Sequence, residues 1–331
     1  MKKKIAGIIA VLLFLAAGFA GWKIFGPATT ISGGEYFYIK TGSNYADVRN
    51  DLISKKYITN GRWFDITSRI LRYKNIKPGR YKISKGMSLA KLIRMLRAGN
   101  QAQVNFIITK IRTREDFSRK AAATFEFDSL QMINLINNTD TLKNYRLDTN
   151  TVTAIIMPFT YSFNWNSTPA KIFQKLYSTY RNFWTAERKA KADSLRLSPI
   201  EISTIASIVD EETLKKTDKL LIASVYLNRI RIGMPLQADP TIKFALNDFT
   251  LKRILSIHLK TVSPYNTYLN KGIPPGPICT PSVETIDAVL HAPVTDYLYF
   301  VSSSKFDGSS VFTTNLTDHM KFAREYQKEL T

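Results

Sequence analysis

The chain has 331 residues, with 47 Lys and Arg against 26 Asp and Glu, a net charge of +21 and a pI near 9.9. Its one cysteine, Cys279, excludes an internal disulfide, and His258, His291 and His319 lie too far apart for metal-ligand spacing, so neither metal nor cofactor is expected. So basic a chain suits nucleic acid, or anionic lipid head groups and polymers carrying carboxylates.

The N-terminus decides between these. Met1-Lys2-Lys3-Lys4 precedes an uncharged apolar run from Ile5 to Trp22. As a helix this run reaches roughly 27 Å, about enough to span a bilayer. The lysines then stay in the cytoplasm and the rest of the chain is exported. We read residues 1–4 as cytoplasmic and 5–25 as a single-pass transmembrane anchor. The rival is a cleaved signal peptide, for which Ala17-Gly18-Phe19-Ala20 supplies small residues, although the apolar run is long for one. An exported chain meets no nucleic acid, and its basic surface suits membrane and wall polymer.

Residues 26–104 read as a small α/β module. Tyr36-Phe37-Tyr38-Ile39 alternates like a strand, and Gly42-Ser43 starts a helix with Val48, Leu52 and Ile53 on one face. Gly79 to Ile83 is a second strand, and Met87-Ser88-Leu89 starts a second helix through Leu92, Ile93, Leu96 and Arg97. Strand then helix thus occurs twice, a faint internal repeat.

Residues 105–197 form a mixed connecting part. Phe163-Asn164-Trp165-Asn166 reads as a loop with exposed aromatics. Ile172 to Asp193 reads as one long polar helix with Phe173, Leu176, Tyr177, Tyr180 and Phe183 on its apolar side.

Residues 198–331 carry the strongest signals. Ser198-Pro199-Ile200-Glu201 is a helix start, with Ser198 as cap, Pro199 in the first turn and Glu201 closing a capping box. The helix runs to about Thr213, with Ile202, Ile205, Ala206, Ile208 and Val209 as one apolar stripe. It ends in Asp210-Glu211-Glu212. On the helical wheel Glu211 lies about 150° from the stripe and Asp210 about 110°, so Glu211 points to solvent; Glu212 lies only about 50° away. A carboxyl at the edge of a core loses hydration, its pKa rises, and it holds a proton near neutral pH, as a general acid must. The plain alternative is three acids ending an amphipathic helix.

A second helix from about Lys219 to Ile232 carries Leu221, Ile222, Val225 and Ile232, with Arg229 and Arg231 in its last turns and Gly233 as its stop. Turn-rich segments follow: Leu236-Gln237-Ala238-Asp239-Pro240-Thr241, Ser263-Pro264-Tyr265-Asn266-Thr267-Tyr268, and Gly272 to Thr280. Then come a strand from Tyr297 to Val301 and the segment Phe312-Thr313-Thr314-Asn315-Leu316-Thr317-Asp318-His319. Loops presenting amides and phenols suit sugars, whose hydroxyls need hydrogen-bond partners and whose ring faces need aromatic surface.

Ala206 to Thr213, Ala223 to Thr241, the Tyr265-Asn266-Thr267-Tyr268 turn, the Gly272 to Thr280 loop, Tyr297 to Val301 and Asn315 to His319, in that order, resemble the endolytic murein transglycosylases (the MltG/YceG-like family). The resemblance is strong from Ile202 onward and weak between Gln101 and Leu197. The family's Glu-Lys-Glu-Thr stretch falls on Asp210 to Thr213, which puts the family's catalytic acid on Glu212. The family's Pro-Asp-Thr is Pro158-Phe159-Thr160 here, and Ser310 and Met320 also depart from its pattern.

The resemblance implies an α+β fold: an N-terminal transmembrane helix, a LysM-like module, and a mixed α/β catalytic domain with the acid on a helix. It implies a lyase of the bacterial cell membrane, its catalytic part periplasmic. Such an enzyme cleaves the MurNAc-GlcNAc bond of nascent peptidoglycan strands to 1,6-anhydroMurNAc ends and terminates their elongation. Glu212 is then acid first and base second. Thr213, Gln237, Asp239, Tyr265, Asn266, Tyr268 and Asn315 are candidate substrate contacts. Their other readings stay open: Thr213 bonding its own backbone, Asp239 capping its loop, Asn266 fixing its turn. Partners implied are glycan strands, the membrane and peptidoglycan synthases (penicillin-binding proteins). The alternative function is a glycan-binding scaffold for those synthases, without turnover.

Overall fold

The computed structural model describes residues 2–31 and 34–330. The chain divides into two compact units. One holds residues 1–106 with 124–127 and 162–168; the other holds 107–123, 128–161 and 169–331. The architecture is mixed α and β, with three two-stranded sheets among the described residues.

The first unit opens with α1, Lys2–Phe25, the one described helix long and apolar enough to cross a membrane, none of it buried by protein. β1 (Tyr36–Ile39) pairs antiparallel with β2 (Gly79–Lys82), Phe37 opposite Tyr81. Between them lie α2 (Tyr45–Ser54) and α3 (Gly61–Ile70). α4 (Leu89–Ala98) and β3 (Val104–Ile107) follow. α2 starts at a capping box built on Asn44, two residues later than the sequence suggested, because Asn44 accepts from the Asp47 amide and Asp47 answers. Ser88 caps α4, and Gly99 ends it in the left-handed conformation at φ 76°. Phe37, Ile39, Val48, Leu52, Phe64, Tyr81, Leu92 and Ile93 make the core. α3 was not legible in the sequence, yet Phe64 on its inner face is fully buried. Phe163 is not an exposed loop aromatic: it is buried against Phe125, which also meets Phe106.

The second unit contains α5 (Arg114–Ala122), α6 (Ser129–Asn137), α7 (Thr139–Lys143) and a 3-10 turn at Val152–Ile155. β4 (Thr160–Phe163) follows, its Ser162 and Phe163 already in the first unit, where β3 is its partner strand. The long polar helix expected over 172–193 is two helices, α8 (Pro169–Phe183) and α9 (Ala186–Ser194). The break falls at Thr185, whose hydroxyl caps α9 on the Arg188 amide; a free cap there outweighs continuation.

α10 (Pro199–Glu212) is the centre of this unit, packed by α9, α11 (Lys216–Arg231), α12 (Asp239–Leu246) and α13 (Val283–Leu290). It is not amphipathic: Ile202 through Asp210 are all buried. Ser203, Thr204 and Ser207 survive burial by donating to the carbonyls of Pro199, Ile200 and Thr204. β5 (Tyr299–Ser302) and β6 (Ser310–Thr313) form an antiparallel pair, β5 starting two residues later than expected, and α14 (Leu316–Leu330) packs on it.

The Gly272 to Thr280 loop is tied down closely. The Ile278 amide donates to Ser207 Oγ at 3.0 Å, and the Thr280 amide to the Ile111 carbonyl at 2.8 Å. A Cβ on Gly276 would lie 2.1 Å from the Asn150 carbonyl oxygen, a backbone atom that cannot swing aside. Gly276→Ala is expected to cost about 1–3 kcal/mol, read as a lower urea midpoint; an unchanged midpoint would mean the loop moves freely.

Candidate active site

Glu212 is the last residue of α10, half-buried, and Tyr226 on α11 donates its hydroxyl to Glu212 Oε1 at 2.9 Å. Tyr226 is itself 1% exposed, so this hydrogen bond is sheltered. Burial pushes the Glu212 carboxyl up to about 7 from an ordinary 4.5. The Tyr226 hydrogen bond opposes the rise, the Asp239 charge adds to it, and Lys243 and Arg229 pull it down. The outcome is a carboxyl that exchanges its proton near neutrality while still open to solvent on one side.

Arg229, also on α11, is 6% exposed. Its guanidinium donates to the carbonyls of Leu298 (2.7 Å) and Leu236 (2.6 Å) and lies 5.3 Å from the Tyr299 ring centre. It is the last-turn cation that the sequence suggested, but a buried one. It clamps the approach to β5 and the turn before Gln237, and it keeps a positive charge near Glu212. His319 stacks on the other partner of this cluster, its ring centre 5.3 Å from that of Tyr299.

The two acids before Glu212 behave differently from the wheel's expectation. Asp210 is 6% exposed and meets Lys219 Nζ at 2.9 Å, Lys110 Nζ at 3.4 Å, Ser282 Oγ at 3.1 Å and the Thr285 hydroxyl. Burial works against its charge, but the hydrogen bonds from Thr285 and Lys219 and the two lysine charges outweigh it, so its pKa falls below the ordinary 3.8. Glu211 does not point to free solvent. It pairs with Lys110 at 3.0 Å and Arg112 at 2.9 Å. The wheel assumed one buried face, whereas residues 110 and 112 cover the opposite one. The helix end therefore carries two acids held by cations and one, Glu212, without a direct cationic partner among the described ion pairs.

The other candidates divide. Asp239 begins α12, is exposed, and accepts the Tyr268 hydroxyl at 2.5 Å. Both act electrostatically on the same cluster, Asp239 on Glu212 and Tyr268 on Tyr226. Tyr265 turns elsewhere: it is buried against Phe244 and its hydroxyl reaches Asn150 at 3.4 Å. Asn266 is fully buried, its amide donating to the carbonyls of Leu259 and Thr261 while its oxygen accepts from the Tyr268 amide. Every polar atom of that side chain is engaged in shaping the turn. Thr213 accepts from the Lys215 amide, bonding its own backbone. Gln237 sits at φ 50° with an exposed side chain, and its backbone N–H donates to the Thr267 carbonyl. Asn315 caps α14 through the Asp318 amide and carboxylate, in an exposed position.

Tyr226 was not named from the sequence, and Lys219 and Arg229 only as positions near the ends of their helix. Their one signal is spacing: Tyr226 and Arg229, three apart, share a helix face.

A family model described as the YceG-like family matches residues 37–325. A Bacillus subtilis (strain 168) protein named endolytic murein transglycosylase is 30% identical over 304 residues, covering 87% of this chain and 83% of that protein. A protein of the same name from Streptococcus pneumoniae (serotype 2, strain D39) is 25% identical over 371 aligned positions, 97% of this chain but 65% of that longer protein. A crystal structure of a YceG-like protein from Listeria monocytogenes matches with a TM-score of 0.58 at 25% identity, over 86% of this chain and 98% of that one. With a match reaching from β1 into α14, the chain belongs to the YceG-like family.

Proposed function

We propose that this protein is a membrane-anchored lytic transglycosylase that cleaves peptidoglycan strands internally, with Glu212 as its one acid and base. The observation that carries the reading is the Glu212 carboxyl, half-buried, held by Tyr226 and pushed up to about 7. The named relatives support the substrate class.

Protonated Glu212 gives its proton to the glycosidic oxygen between N-acetylmuramic acid and N-acetylglucosamine, and the bond from C1 to that oxygen breaks. The muramoyl C6 hydroxyl attacks C1, its proton passes to the Glu212 carboxylate, and a 1,6-anhydro ring closes. No water is consumed, and Glu212 ends as it began. An internal nucleophile at high effective concentration replaces an activated water and the second carboxylate that would position it. Asp239, the nearest claimant to that second role, has its carboxylate engaged by Tyr268. Tyr268 and Asp239 would instead face the sugar as a donor and acceptor pair.

α1 would hold this chemistry at the cell membrane, with Lys2, Lys3 and Lys4 on the cytoplasmic side and the catalytic part periplasmic. The paired strand-helix module around β1 and β2 would act as a LysM-like glycan contact. Cleavage beside the membrane would end strand elongation, in reach of the peptidoglycan synthases.

Mass spectrometry of purified glycan strands incubated with the full chain in detergent tests this. Products one water lighter than hydrolytic ends are expected; reducing ends, or binding without cleavage, would overturn it in favour of a hydrolase or a scaffold.

The Tyr226 hydrogen bond gives a sharper expectation. It stabilises the ionised form of Glu212, so Tyr226→Phe raises the Glu212 pKa further. Activity that needs protonated Glu212 falls as pH rises through that value, and in Tyr226→Phe this alkaline limb moves to higher pH. A limb that stays put, or moves down, would show that another group sets it.

A further inference from the structure

From Phe249 to Val283 the chain contains no Asp or Glu, although it holds Lys252, Arg253, Lys260 and Lys271. All four cations are exposed. Between them stand large apolar side chains in water: Leu255 is 52% exposed, Ile257 66%, Val262 96% and Leu269 59%. Other apolar side chains of the second unit are exposed singly, such as Leu214 and Val294, whereas here four stand within fifteen residues of one another among the cations. Tyr265 packs inward, but Leu255, Ile257, Val262 and Leu269 do not, and the nearest acid in sequence, Asp248, is taken up by the amide and hydroxyl of Thr250. Apolar tips among cations, with acids excluded, are the chemistry of an interfacial membrane contact: cations meet anionic head groups and apolar groups enter the acyl boundary.

The loop is also built, not slack. His258 to Lys260 forms a 3-10 turn, and His258 Nδ1 accepts from the Leu255 amide at 3.1 Å. Asn266 fastens it from within, gripping the carbonyls of Leu259 and Thr261 at 2.9 and 2.7 Å while orienting the amide of Tyr268. Tyr268 in turn holds Asp239.

We infer that residues 250–271 are a second membrane contact, through which the catalytic unit docks on an anionic lipid surface. Its occupant is the bilayer itself, chosen by charge: the loop is purely cationic and head groups of anionic lipid are its complement. Once α1 holds the chain at the bilayer, the loop's local concentration at the surface is high, so a modest intrinsic affinity suffices. Because Asn266 joins the loop to the turn carrying Tyr268, docking sets the orientation of the candidate site to the membrane plane. The inference rests on the anchoring part of the proposed function and is independent of cleavage.

The test uses the full chain reconstituted in vesicles. Cys279 is fully buried, so Ile257→Cys supplies the reactive thiol for an environment-sensitive fluorophore. Lys189→Cys on exposed α9 is the control. Vesicles of phosphatidylethanolamine with phosphatidylglycerol, carrying acyl-chain quenchers, should quench the Ile257 label and spare the Lys189 label. Adding Lys252→Gln with Arg253→Gln should weaken the docking equilibrium roughly 30-fold, the effect of two cations near an anionic surface. A chain that floats with these vesicles while its Ile257 label stays in water overturns the inference and leaves the anchor standing. Quenching of equal size in pure phosphatidylcholine overturns it too, because the surface would not be reading charge. Quenching in anionic vesicles by a chain that fails to float with neutral ones supports the loop and sinks the anchor.

Discussion

Glu212→Gln is expected to lower strand cleavage roughly 10²–10⁴-fold, the range a positioned general acid contributes, while making the folded protein more stable. The two effects have one cause. Burial holds the Glu212 pKa near 7 in the native state against an ordinary 4.5, so the folded chain binds the proton more tightly than the unfolded chain. Stability therefore falls as pH rises from about 4.5 to about 7, and the ionised carboxylate costs about 3 kcal/mol above that window. An amide keeps the shape and the hydrogen bond from Tyr226 without the charge. Thermal unfolding at pH 8 should show Glu212→Gln melting above the unmodified protein, with the gap closing toward pH 4. Lost cleavage with no gain in melting temperature would mean that the carboxylate is well solvated, and the physical case for Glu212 as the acid would fail.

The second large effect is expected at Lys219, which the structure puts 5% exposed and 2.9 Å from Asp210. Lys219→Met leaves a buried carboxylate short of its closest cation and should cost about 3–5 kcal/mol. Lys110, at 3.4 Å and more exposed, compensates only in part. Asp210→Asn added to Lys219→Met should recover much of the loss, because both buried charges are then gone; urea denaturation of the two single variants and the double variant measures the coupling. Additive losses would mean that the pair is not coupled. The pH dependence runs opposite to that of Glu212. The Asp210 pKa is depressed, so its stabilisation is present above the ordinary carboxylate value and lost as pH falls through the native one. One helix end thus carries acids that pull stability in opposite directions with pH.

Much of this was written locally in the chain. Ser198, Pro199 and Glu201 announce the start of α10, and the capping box forms as their spacing implies. Alternation at Tyr36 to Ile39 and the apolar run behind Lys2 to Lys4 announce β1 and α1. Glu212 was legible as a carboxyl at a core edge because its position on one helix is a matter of angle alone.

What the wheel missed was everything supplied by other segments. It put Glu211 in solvent, yet Lys110 and Arg112, a hundred residues earlier, close over it. It gave α10 one buried face, yet α9, α11, α12 and α13 surround it. The family resemblance offered Tyr265 and Asn266 as equals of Tyr268, and only packing separates them: Asn266 is consumed in shaping its turn, Tyr265 faces Asn150, and Tyr268 reaches Asp239.

The sequence by itself determined the caps, the periods, the anchor-like N-terminus and the place of Glu212 at a core edge, since each depends on residues within a turn or two of one another. Tertiary structure alone decided which cations neutralise which acids, that Tyr226 answers Glu212, and that Arg229 turns inward. Those outcomes depend on burial and on charges brought together across the chain, and no local pattern encodes which distant side chain arrives.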